Sequence, residues 1–110
     1  MDAERKKGLL AEKRRGLKEM RSLREFIRGS VVVLMRPCSY RGCKRCQAGL
    51  KHPGLYHTVS KGGKTQTTYL GSALAPRCRE HVEAYKRLLD LTERLSDLNL
   101  ALLTGKERTR

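Results

Sequence analysis

Residues 31–70 read VVVLMRPCSYRGCKRCQAGLKHPGLYHTVSKGGKTQTTYL, and the alternation inside this stretch decides the fold class. Val31-Val32-Val33-Leu34-Met35 is a continuous β-branched and apolar run after the Gly29-Ser30 break. Such a run predicts a buried strand. Further on, LYHTVS (55–60) and TQTTYL (65–70) flank KGGK (61–64). Two Thr/Tyr/Val-rich runs joined by adjacent glycines, each able to take positive φ, predict a β-hairpin. Alternation along the first run puts Tyr56, Thr58 and Ser60 on one face and His57 and Val59 on the other.

Outward from this centre both flanks read as helices. Residues 2–28 run from Asp2, a good N-cap, to Gly29, a natural stop. At about 100° per residue, Leu9, Leu10, Leu17, Met20, Leu23 and Ile27 form one apolar stripe. Lys7, Arg14, Arg15, Lys18 and Arg21 fall opposite it, and Gly8 and Gly16 each weaken the helix by about 1 kcal/mol relative to Ala. The second helix is expected to carry Pro76 in its first turn and to end near Leu103, with Gly105 just beyond. Ala84, Leu88, Leu91, Leu95, Leu98 and Leu102 mark its stripe, widened by Val82, Tyr85, Leu89 and Leu103. That stripe is too broad for a bare two-stranded seam. One edge is expected to pack within the chain, leaving the remainder for a second copy or a larger protein.

The expected fold is therefore α+β: an N-terminal helix, a small antiparallel sheet made of a strand plus a hairpin, and a long C-terminal helix. The expected organisation is a basic amphipathic helix at 1–29, one domain at 30–103, and a disordered basic tail at 104–110. The chain has 110 residues, which leaves no room for a second independent core.

Charge narrows the function. Net charge is +14, and residues 1–64 hold seventeen Lys/Arg against five Asp/Glu, whereas residues 77–103 hold five of each. A field of one sign steers and binds polyanions through counterion release. No stretch approaches the roughly 20 apolar residues a membrane span needs. The first thirty residues lack an apolar signal core, so a cytoplasmic location without a secretory leader is expected.

Disulfides are rare in that compartment, so the four cysteines need another account. Cys38, Cys43, Cys46 and His52 fall within fifteen residues, and the two-residue gap between Cys43 and Cys46 lets a tight turn present both sulfurs to one tetrahedral ion. Arg36, Arg41, Lys44, Arg45 and Lys51 surround them and favour the thiolate form that a metal needs. Zinc is the expected ion. Cys78 and His81, as CREH at 78–81, offer a rival fourth ligand, with His57 a weaker one. Packing thiols, or a redox role for Cys43 and Cys46, are the alternatives. Catalysis is not expected: no Asp or Glu lies between Phe26 and Arg79, and KGGKT lacks the spacing of a phosphate-cradling loop.

Several motifs together point to relatives. IRGSVVVLMRPC, CSYRGCKRC, KHPGLYHTVSKGGKTQTTYLG and VEAYKRLLDLTERLSDLNLALL occur in this order over residues 27–103. In this the chain resembles an uncharacterised family of short, basic, Cys-rich bacterial and archaeal proteins. Their pattern runs R-G-S, C-G-K-x-x-C-x-C, H-G-P-Y, G-K-T and a Leu-rich helix. Here the second and third cysteines stand one residue further apart, and HPGLY replaces H-G-P-Y. The resemblance implies a helix, small sheet and helix with a metal knuckle of Cys38, Cys43, Cys46 and His52. It implies no established activity; members are sometimes labelled transposase-related.

The expected function is a non-catalytic, zinc-stabilised nucleic-acid-binding protein, with DNA ahead of RNA as its partner. It would serve as an accessory or regulatory factor of a mobile element. Contacts are expected from Lys7, Arg14, Arg15, Lys18, Arg21, Arg36, Arg41, Lys44, Arg45, Lys51, Lys61 and Lys64. The hairpin, with Thr65, Gln66 and Thr67, is expected to suit a groove. Tyr40, Tyr56 and Tyr69 would stack on bases of a single strand, although Tyr56 and Tyr69 equally suit a cross-strand core pair. The other reading is an adaptor that dimerises or docks through residues 77–103.

Overall fold

The computed structural model describes residues 1–37 and 42–106, less the side chain of Arg45. Its elements are α1 (Ala3–Ser22), β1 (Ser30–Arg36), α2 (Lys44–Gln47), β2 (His52–Lys61), β3 (Lys64–Tyr69) and α3 (Gly71–Thr104). This is the expected α+β layout: a helix, a three-stranded antiparallel sheet in the order β1-β2-β3, and a long C-terminal helix. The chain divides into two compact units, one of residues 1–26 with 84–110, the other of residues 27–83. Helix α3 contributes its first part to the second unit and the rest to the first.

In the helical unit, Asp2 caps α1 by accepting the Arg5 amide at 2.6 Å. Periodicity carries this helix to Arg28, but it ends at Ser22. The reason lies in the partners the next residues find. Phe26 stacks on Tyr85 with ring centroids 5.9 Å apart. Ile27, in the sheet unit, gives its amide to the His81 carbonyl at 3.0 Å. Those tertiary partners replace another helical turn.

Leu9, Leu95, Leu98 and Ala101 form the buried core of the helical unit, with Met20 and Leu102 packed against it. Leu10 and Leu17, expected on the same stripe, are exposed. The contact line runs through Leu9, Gly16 and Met20 because Leu95 sits against Gly16, where a Cβ would meet its Cδ2 at 3.2 Å. Two bidentate ion pairs edge this packing. Arg94 holds Glu12 at 2.5 and 2.9 Å, and Arg87 holds Glu19 at 2.5 and 2.8 Å. The partners move seven residues forward on α1 as they move seven back on α3, so the helices run antiparallel.

In the sheet unit, β1 pairs with β2 from Ser30↔Thr58 to Arg36↔His52, and β2 with β3 from Tyr56↔Tyr69 to Lys61↔Lys64. Gly62 and Gly63 both have positive φ, 54° and 78°, as a two-residue hairpin turn demands. Strand β1 corrects the expected burial. It is an edge strand with Val33 60% and Met35 50% exposed, and none of its residues is fully buried. β-Branched content reports strand formation, while burial depends on what covers the face. Helix α3 begins at Gly71, five residues ahead of Pro76, which lies inside it. A proline near the start of a helix forfeits few backbone bonds, so the turn before it can still form. Ala75, Cys78 and Val82 are the buried face of this part of α3.

Candidate metal centre and basic surface

The loop between β1 and β2, with the first residue of β2, brings together a group that could hold a metal ion. Cys43 occupies the N-cap position of α2 and Cys46 lies one turn on, so both thiols project from one side of a short helix. The Gln47 amide donates to the Cys43 carbonyl and the Gly49 amide to the Cys46 carbonyl, each at 3.0 Å, which fixes the turn. His52 is the first residue of β2 and the register partner of Arg36. Its Nε2 lies 2.7 Å from the Cys43 Sγ. One ligand atom from each of Cys43, Cys46 and His52 lies within 4.8 Å of the others, and all three residues are half-buried.

That set fits a metal ion. A tetrahedral ion with bonds of about 2.3 Å to sulfur and about 2.0 Å to imidazole nitrogen needs ligand atoms that converge in this way. The donor set of two thiols and an imidazole is that of a soft or borderline cation. Cys38, expected to join them, lies outside the described residues, as do Tyr40, Arg41 and residues 107–110.

The rival ligands stand apart from this cluster. Cys78 is 6% exposed on the apolar face of α3, and burial pushes its thiol pKa up. A thiol held neutral in an apolar setting is a packing residue. His81 is partly exposed, and its backbone carbonyl accepts the Ile27 amide. His57 also has structural work, with Nε2 2.7 Å from the Arg28 carbonyl.

The expected cations are placed as follows. Lys7, Arg14, Arg15, Lys18 and Arg21 on α1 are exposed, as are Arg36, Lys44, Lys51, Lys61 and Lys64 in the sheet unit. In the sheet unit, Arg28 and the expected Arg36 both have structural contacts. Arg28 donates to the Ser60 carbonyl at 3.0 Å, and the Arg36 guanidinium lies 5.1 Å from the centroid of the Tyr56 ring. Tyr56 and Tyr69 meet edge to face at 5.3 Å. The Arg36 contact escaped sequence reading. Its only signal was strand register, which places Arg36 and Tyr56 on one face once Arg36 is paired with His52.

Residues 4–80 match the model of a family described as a domain of unknown function (DUF6788). The chain belongs to that family. The matched segment holds α1, the sheet, the cysteine loop and the first turns of α3, and stops before the leucine stripe. No curated protein and no solved structure matches the chain.

Proposed function

We propose that this DUF6788 protein is a small, non-catalytic nucleic-acid-binding protein of the cytoplasm in which Cys43, Cys46 and His52 hold a zinc ion. Cys38 is the fourth ligand in this reading. It follows Arg36, the register partner of His52, by only two residues, and two residues span at most about 7 Å. The ion would tie the β1–β2 loop to the sheet, and it carries no reaction. A thiol pushed towards its neutral form at Cys78 and the lack of Asp or Glu from Ile27 to Cys78 both speak against catalysis.

The observation that carries the reading is the exposure of the cations. The ten expected cations whose side chains are described all face solvent in a chain of net charge +14. Cations placed this way can reach phosphates and displace their counterions. DNA stands ahead of RNA as the partner, and a role as accessory factor of a mobile element fits a small binding protein without chemistry of its own. Fluorescence anisotropy with labelled DNA and RNA across a salt series tests it. Micromolar or tighter binding that falls steeply with salt is expected; a flat or absent response ends the proposal.

One observation favours a second reading, a protein–protein adaptor acting through residues 77–103. Leu89, Leu100 and Leu103 are exposed on α3, Leu103 at 84%. Analytical ultracentrifugation over a concentration series separates the two. A monomer at all concentrations removes self-association through α3.

A further inference from the structure

We infer that one face of the sheet is a stacking platform for the bases of a single-stranded nucleic acid, with Tyr69 as its outer ring; this rests on the nucleic-acid reading above. Antiparallel partners share a face. Val32, Tyr56 and Tyr69 therefore form one row across all three strands, with Thr58↔Thr67 and Ser60↔Thr65 in the rows towards the turn. Towards the other end, the same face carries Leu34↔Gly54 and then Arg36↔His52.

The row is arranged so that one ring is held and the other offered. Gly54 leaves room beside Tyr56: a Cβ there would lie 2.7 Å from the ring's Cε1. Tyr56 thus leans over the Gly54 backbone towards Arg36, whose guanidinium covers it at 5.1 Å. Tyr69 meets Tyr56 edge to face at 68°, and its hydroxyl end lies beside Gly71, where a Cβ would be 3.3 Å away. Tyr69 is braced at both ends yet remains 66% exposed. A cross-strand aromatic pair needs contact but not this exposure. A ring fixed against a sheet, on a face that also carries threonine and serine hydroxyls, is what an unpaired base stacks on.

Charge selects the occupant. The exposed Arg36 stands on this face at one end of the platform, in a chain of net charge +14. The exposed Lys61↔Lys64 pair lies beside the turn at the other end, on the opposite face by alternation. An apolar peptide would gain nothing from that charge, whereas a phosphodiester strand is attracted to it. The duplex is disfavoured because its bases are stacked on one another and cannot reach a ring set in a sheet.

The chain has no tryptophan, so Tyr69→Trp supplies a single fluorescent reporter. The test uses the full zinc-loaded protein with oligo(dT), oligo(rU) and a mixed-sequence duplex at matched salt. The single strands are expected to quench the indole fluorescence of the Tyr69→Trp protein, with the DNA and RNA arms showing which sugar is preferred. Tyr69→Ala is expected to weaken single-strand binding about tenfold, the worth of roughly one stacked base, with the salt slope unchanged because no charge is lost. Tyr69→Phe should bind as the native protein does. Thermal melting of each variant separates lost stacking from lost fold. Binding to single strands without quenching and with native affinity in Tyr69→Ala overturns the platform and leaves the polyanion reading standing. Tighter binding to the duplex overturns it likewise. Failure of every nucleic acid to bind overturns both.

Discussion

Gly29 shows how much rests on single side chains in the sheet unit. Its φ is +115°, and a Cβ there would strike the Thr58 carbonyl oxygen and approach His57 Nε2 to 2.7 Å. Neither obstacle yields cheaply: one is backbone, and the other is held by the Arg28 carbonyl. Gly29→Ala is therefore expected to destabilise the sheet unit by about 3 kcal/mol, combining left-handed strain with the clash, as read by chemical denaturation. The candidate metal ligands, with zinc as the proposed ion, make an equally local prediction. Cys43→Ser should lose stoichiometric zinc, measured by elemental analysis, and lower the melting temperature. Retention of one zinc with unchanged melting would remove Cys43 from the site. Val33 stands at the opposite extreme. Because it is 60% exposed, Val33→Thr should change stability by less than about 0.5 kcal/mol. A buried central strand would not tolerate that change.

Among the elements, the pairing of α1 with α3 has the clearest physical logic. Gly16, poor for an isolated helix, is where Leu95 comes close. Gly16→Val would fill that space with a branched side chain and should cost about 1–3 kcal/mol through overpacking, measured by denaturant titration. The ion pairs on either side add a pH dependence. The hydrogen bond from Arg94, aided by its charge, lowers the Glu12 pKa; the hydrogen bond from Arg87 does the same for Glu19. Each carboxylate is lower in the folded state than in the unfolded one. Its stabilisation is thus complete above the unfolded value, near 4.5, and is lost as pH falls through the lowered folded value. Unfolding midpoints should be level above about pH 5 and drop below it. Glu12→Gln should flatten part of that drop and cost at most about 1 kcal/mol at neutral pH, since the pair is partly exposed and screened.

For the molecule taken whole, the dominant fact is a charge of +14 on 110 residues. Like charges on the exposed cations repel, so the folded chain should gain stability as salt rises from very low to about physiological ionic strength, where the Debye length falls to about 8 Å. Thermal melts across that range check this. The opposite trend would mean that ion pairs such as Glu12–Arg94 outweigh the general repulsion. If the protein binds nucleic acid as proposed, salt should weaken that binding over the same range, and folding and binding should respond to it in opposite directions.

Local features were readable in the chain because short-range sterics dictate them. The Asp2 cap, the Gly62-Gly63 turn and the order of helix, strand, hairpin and helix follow from neighbours a few residues apart. The Cys43, Cys46 and His52 grouping was accessible from residue type and the two-residue gap between the cysteines. Chain length alone allows Cys43 and His52 about 30 Å, and the short helix and the strand register closed that distance. Folding settled whatever depends on which faces meet. It exposed Val33 and Met35, ended α1 at Ser22 by giving Phe26 and Ile27 partners on α3, and joined Glu12 to Arg94 across 82 positions. Periodicity names the apolar side of an element, but contact between distant segments sets what covers it.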